Sequence, residues 1–218
     1  MLKLLTGSPA TRLIQAIERD DADALAKWLR KASPALLSQP LHDDLLATEL
    51  AIDAQRPKLL WLLLNAGADA NAIGTDGTPL SWRALSLQGP EPKSLELLAA
   101  LLRAGADANS CNPAGTPLLH ACFEVCSPAR LMLHLSRLLE AGAGIDSQDA
   151  AGRSILQLAL HSDRRELIQF LIHSGAALPE ELPLGAPDSA QADINPETLT
   201  YARRCQQDYR IRQQFLGA

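Results

Sequence analysis

One stretch, stated twice, limits what this chain can fold into more than any other feature. Leu62-Leu63-Leu64-Asn65-Ala66-Gly67-Ala68-Asp69-Ala70-Asn71 returns almost unchanged as Ala100-Leu101-Leu102-Arg103-Ala104-Gly105-Ala106-Asp107-Ala108-Asn109. Each copy reads as the last buried turn of a helix followed by a projecting turn. The glycine supplies a left-handed residue that closes the helix without a Cβ penalty. Asp and Asn then form a turn, because their side chains bond nearby backbone. Looser copies end at Gly142-Ala143 and Gly175-Ala176, so the closing glycines are spaced 38, 37 and 33 residues apart. A period of that size marks a repeat array, in which each unit buries its apolar face against the next.

Composition agrees with helices. Hydrophobic residues make up 47% of the chain, Leu and Ala dominate, and Val occurs once, as Val125. That poverty of β-branched residues argues against a sizeable sheet. A net charge of -5 disfavours binding to nucleic acid, which needs clustered Lys and Arg. No run approaches the length of a membrane span, and Met1 to Gly7 is too short in apolar length for a signal peptide. The scattered Cys111, Cys122, Cys126 and Cys205 do not look like a disulfide framework, so a cytoplasmic location is expected.

In chain order, residues 11–32 predict two short helices broken at Asp20-Asp21. Pro34 and Pro40 keep the connection over residues 33–45 from continuing as α-helix. Helices follow over residues 46–54 and 58–65, with Pro57 at a helix start. Thr78-Pro79-Leu80 and Thr116-Pro117-Leu118 predict further starts, with Thr as cap and Pro at the first helical position. Ser154 takes the capping role in the fifth unit. Beyond residue 178 the period stops: residues 179–195 read as a Pro-rich linker. Leu199, Ala202, Cys205 and Tyr209 then recur at helical spacing in residues 196–218, a last helix that caps the array or reaches a partner.

Thr-Pro-Leu at a helix start, a short helix pair, and a closing Leu-Leu-x-x-Gly-Ala-Asp together resemble the ankyrin repeat. The matching residues are Thr78-Pro79-Leu80 with Gly105-Ala106-Asp107, and Thr116-Pro117-Leu118-Leu119-His120-Ala121 with Gly142-Ala143. The resemblance covers five units, Thr11 to about Leu178, starting near residues 11, 46, 78, 116 and 154, within an array placed at residues 1–178. It implies an all-α solenoid of about five helix–turn–helix repeats with projecting β-turn fingers, followed by the C-terminal helix. Two departures stand out. Units three and four are long, with the excess near Gln88 to Pro92 and near Glu124 to Pro128, between the paired helices. Arg83 falls where the family packs a small Ala, which predicts a one-residue shift to Ala84.

Cys122 and Cys126 with His120 and His134 invite a metal reading. A structural zinc site needs four converging ligands, and Cys122 follows a packed repeat Ala, so core packing is the expectation and no metal or cofactor is assigned. His161-Ser162-Asp163 names the members of a hydrolase triad, but consecutive residues cannot meet in triad geometry. The chain carries no phosphate loop or nucleophile elbow, and it reads as non-enzymatic.

The fingers, residues 32–45, 67–77, 105–115 and 142–153, hold Asp43, Asp44, Asp69, Asp76, Asp107, Asp146 and Asp149 against Arg153 alone. Two readings stay open: turn geometry and solvation, or an acidic rim for a basic protein surface. What the resemblance implies is binding of a partner protein by a monomer, through finger tips and the exposed side of each first helix. Its contact positions map to Glu18, Arg19, Asp43, Asp44, Asp53, Thr75, Asp76, Ser86, Phe123, Glu124, Arg153, His161 and Ser162. Phe123 leads, as an aromatic expected to have no packing duty. An adaptor or a stoichiometric inhibitor, such as an immunity or antitoxin protein, fits first. A secreted effector acting on a host protein is the alternative, with an enzyme of unrecognised site behind it.

Overall fold

The structure, a computed structural model, describes residues 8–31, 33–41, 44–87, 93–178 and 194–216. Those residues form eleven α-helices and one 3-10 helix, with no β-strand among them. Five helical hairpins follow one another: α1 (Pro9–Glu18) with α2 (Ala22–Leu29), α3 (Ala47–Asp53) with α4 (Pro57–Asn65), α5 (Leu80–Leu85) with α6 (Ser94–Arg103), α7 (Leu118–Val125) with α8 (Pro128–Glu140), and α9 (Ile155–His161) with α10 (Arg165–His173). Each first helix packs on the next first helix, and α2, α4, α6 and α8 pack in sequence behind them, so the chain builds two parallel layers.

The interface between layers is largely apolar. Leu13, Leu25, Leu59, Leu60, Leu63, Leu97, Leu101 and Leu118 are all fully buried, and each such side chain contributes about 1.5–3 kcal/mol. One residue is small and fully buried at the same place in four first helices, the fifth position: Ala51, Ala84, Cys122 and Ala159. The third unit therefore needs no shift. Helix α5 starts at Leu80 just as α7 starts at Leu118, and Arg83 simply turns outward one residue before the packed Ala84.

Caps correct two expectations. Pro79 and Pro117 are the N-cap residues of α5 and α7, not the first helical residues, and no side chain caps either helix. Thr78 and Thr116 belong instead to the fingers: their carbonyls accept from Gly74 and Asn112, closing each finger before the helix begins. Ser154 does cap α9, accepting from the Gln157 amide. The closing glycines behave as expected, with φ of +99° at Gly67 and +91° at Gly105. The expected connection over residues 33–45 contains a 3-10 helix, Pro34–Ser38, anchored by buried Leu37.

The excess in the fourth unit is not a long turn. Only Cys126 and Ser127 separate α7 from α8, and the extra residues lengthen α8 to 13 against 9 in α4 and α10. The excess expected at Gln88 to Pro92, the linker over residues 179–193 and the N-terminal Met1 to Gly7 lie outside the described residues.

The last helix, α11 (Pro196–Leu216), packs on α10. Along it Thr198, Ala202 and Cys205 are buried, and Tyr209 stacks on His173. Its last turns overhang, leaving Ile211 and Phe215 exposed. No helix among the described residues is long and apolar enough to cross a membrane.

Candidate interaction surface

The fingers are held to one another by a repeated device. Asn71 Nδ2 donates to the Gly105 carbonyl at 3.0 Å, while its Oδ1 accepts from the Asp107 amide at 2.7 Å. Asn109 does the same one unit later, to the Gly142 carbonyl at 3.2 Å and from the Gly144 amide at 2.7 Å. Asp146 accepts from the Ala177 amide at 3.0 Å. The Asn of the repeated stretch thus bridges units and does not only shape its own turn. Exposed hydrogen bonds of this kind contribute about 1 kcal/mol each and, more to the point, fix the spacing between neighbouring fingers.

Within each finger the aspartates have backbone duties. Asp69 and Asp107 accept from the amides two residues on, Asn71 and Asn109, and Asp76 accepts from Thr78. Asp149 accepts from the amides of Ala151 and Arg153 and pairs with the Arg153 guanidinium at 2.7 Å. Burial alone would raise its carboxyl; the Arg153 bonds outweigh that and hold it below the usual carboxylate range. Turn geometry is therefore a large part of why these acids are present. Their carboxylates nonetheless line the finger surface, and Asp69, Asp76 and Asp107 are exposed.

A charge cluster that the sequence did not reveal sits between the second and third units. Arg83 binds Asp53 in a two-pronged pair at 2.7 and 2.6 Å, Glu49 at 3.0 Å and Asp76 at 3.5 Å. Glu49 is fully buried. Its other oxygen accepts from the Leu46 amide at 2.9 Å, satisfying an orphan N–H at the start of α3. Gly74 makes room for this carboxylate, since a Cβ there would collide with Glu49 Oε1. The Asp53 hydrogen bond, opposed by burial and supported by the other carboxylates, raises Arg83 further above its ordinary value. Three carboxylates against one guanidinium leave this part of the surface anionic. The available signal was the arginine at a position bordering the packed small residue, which reads as a misfit until its partners in the preceding unit are seen.

Most of the expected contact residues lie at two levels along the first-helix layer. Glu18, Arg19, Asp53, Ser86, Glu124, His161 and Ser162 are exposed at or just after the C-terminal ends of first helices. Thr75, Asp76 and Arg153 lie on fingers, Asp44 is exposed in the first finger, and Asp43 lies outside the described residues. Asp53 and Asp76 are drawn together by Arg83. Ser86 and Ser162 spend their hydroxyls on the Trp82 and Leu158 carbonyls, and Arg153 is tied to Asp149.

Comparison with known proteins gives a short result. No family model matches the chain, and no curated protein matches it.

Phe123 departs from expectation. It is half-buried against the core, and the Arg164 guanidinium of the fifth unit lies over its ring at 4.5 Å. The ring has a packing duty after all, and the arginine over it is itself half-buried, with its Nη1 enclosed and unpaired. The sequence reading also missed Ile73, 57% exposed on the second finger. It shares that finger with exposed Asp69 and Asp76, and an apolar side chain this exposed contributes little to packing. On the opposite edge, Val125, Met132 and Leu133 are exposed beside a groove lined by Pro128, Leu131 and Arg164.

Proposed function

We propose that the chain is an ankyrin-type repeat array whose task is to bind a partner protein through its fingers and first-helix ends. The carrying observation is the bridging by Asn71 and Asn109, which holds successive fingers at fixed spacing and so presents a pre-organised surface. Pre-organisation lowers the entropy cost of association, which is what a large rigid face contributes to binding. On that face Ile73 supplies an exposed apolar contact on the finger that also carries exposed Asp69 and Asp76. The excess of Asp over Arg on the fingers suits a basic surface on the partner and would speed encounter at low salt. A stoichiometric role, as adaptor or inhibitor, follows from this reading; an effector acting on another organism's protein would use the same face.

The test starts with affinity capture from native lysate, followed by kinetics with the purified partner. Ile73→Asp should lower affinity at least roughly tenfold while leaving the thermal melt unchanged, because the side chain is exposed. If Ile73→Asp and Asp76→Lys bind as wild type does while Leu133→Asp abolishes binding, the working surface is the α8 edge and the finger reading fails.

A further inference from the structure

We propose that the free end of α11 docks on the fingers of a second copy of this chain, setting a basic, apolar helix end against the acidic surface that carries Ile73. The direction of α11 places that end. Thr198 Oγ1 donates to Asp163 Oδ1 just ahead of α10, the Tyr201 hydroxyl donates to Gln169 Oε1 at 3.3 Å, and Tyr209 stacks on His173. The contacts advance along both helices together, so α11 runs parallel to α10. Tyr209 also lies against Gly175, the closing glycine of the last unit, its hydroxyl 3.7 Å from where a Cβ would stand. The turns after Tyr209 therefore emerge at the edge from which the fingers project.

The two surfaces match in both charge and polarity. Residues 210–215 are all exposed, and Ile211 and Phe215 stand one turn apart on one side of the helix, Phe215 with 81% of its surface open. Exposed Arg203, Arg204, Arg210 and Arg212 face Asp208 alone over residues 203–215, four bases less one acid, on a chain whose total charge is -5. The finger over residues 67–77 offers the converse: exposed Asp69 and Asp76 with uncovered Ile73, and exposed Asp107 on the next finger. Each surface holds an apolar contact beside a charge that the other complements.

They cannot meet within one chain. Packed helices lie about 8–10 Å apart, which puts the finger of residues 67–77 roughly 20–30 Å from α10. Six residues of helix extend only about 9 Å. A second copy removes that limit. Both surfaces lie along the same edge, so two copies related by a two-fold axis set each helix end on the other's fingers and make the contact twice. One such helix end buries far less than the roughly 800 Å² per partner of a stable complex, so the pairing is weak and the dilute chain is a monomer. This goes beyond the partner reading and does not rest on it, although a second copy on these fingers would compete with a partner there.

Sedimentation velocity on the purified 218-residue chain, with no partner present, tests the pairing. Dimers should appear at low salt as protein rises from about 10 to 500 μM, the range that populates a weak contact. They should disperse at about 1 M salt, where the screening length falls to about 3 Å. Phe215→Glu and Ile73→Lys change exposed side chains and so leave the thermal melt in place, and each should raise the dimer dissociation constant at least roughly tenfold. Their equimolar mixture should associate more strongly than either variant alone. In the mixed pair the unaltered helix end of one copy meets the unaltered fingers of the other, and the two substituted sites meet as opposite charges. Wild type that stays monomeric up to the highest concentration overturns the pairing. Dimers lost in Phe215→Glu but unchanged in Ile73→Lys, or a mixture no stronger than its components, overturn the fingers as the seat of the helix end. Partner binding by the fingers is judged separately, by partner kinetics with Ile73→Asp, and stands or falls apart from these outcomes.

Discussion

Helices α5 and α7 are introduced by the same three residues and end up tied to their neighbours in opposite directions. Both begin one residue after the proline, both bury the first Leu, and both bury a small fifth residue, Ala84 or Cys122. They differ at the positions the motif leaves open. The fourth residue of α5 is Arg83, which reaches back to Glu49 and Asp53 in the preceding unit. The fourth residue of α7 is buried Ala121, and the sixth, Phe123, is covered from ahead by Arg164 in the following unit. The motif sets the backbone; these two positions decide whether units are joined by charge or by a ring, and what chemistry is left facing outward.

The largest effect should come from breaking the charge tie. Arg83→Met leaves Glu49 buried with the Leu46 amide as its remaining bond, and unpairing a buried charge costs about 3–5 kcal/mol. Arg83 is 20% exposed at its side chain, so the lower end is expected. Urea unfolding measures it. The double variant Glu49→Gln with Arg83→Met should recover part of the loss, since the cost lies in the orphaned charge. A loss below about 0.5 kcal/mol for Arg83→Met would mean that the cluster is a surface ion pair of the ordinary weak kind.

A middle effect tests what the two units share. Gly105 closes α6 at φ +91°, and a Cβ there would meet nothing within 4 Å, so any cost is backbone strain alone. Gly105→Val should lower stability by about 1–2 kcal/mol, the scale of forcing an L-residue into left-handed backbone. An unchanged melting temperature would show that the closing turn relaxes freely and does not set the spacing of units.

How much of this could be read from the sequence follows from which forces are local. Helix ends at Gly67, Gly105, Gly142 and Gly175 were legible because a left-handed residue is a property of one position. Helix faces were legible because Leu spacing is a property of one turn. The Thr and Pro roles came out one residue off, since where a helix starts depends on how far the finger's closing bonds extend, from Thr78 to Gly74 and Thr116 to Asn112. The partners of Arg83, the bridging by Asn71, the exposure of Ile73 and the cover over Phe123 were not legible. All but the exposure of Ile73 depend on a residue about one repeat away, and no local pattern reports which side chains meet across that distance.

The smallest stability effect belongs to the ring tie, and it carries the sharpest statement about binding. A guanidinium stacked on an aromatic face is worth about 0.5–1 kcal/mol, and the enclosed, unpaired Nη1 of Arg164 offsets part of that, so Arg164→Ala should barely move the urea midpoint. It would, however, uncover Phe123. If the partner contacts this part of the surface through the ring, Arg164→Ala leaves affinity unchanged or improves it, whereas Phe123→Ala weakens it. If the partner reads the stacked arginine, through a carboxylate of its own, both variants weaken binding and Arg164→Lys fails to restore it, because an ammonium cannot reproduce the planar two-pronged contact. If neither variant changes the rate constants while Ile73→Asp does, the contact is confined to the fingers of the second and third units, and the chemistry tying the fourth to the fifth serves stability alone. One set of kinetic binding curves with these four variants separates the three outcomes.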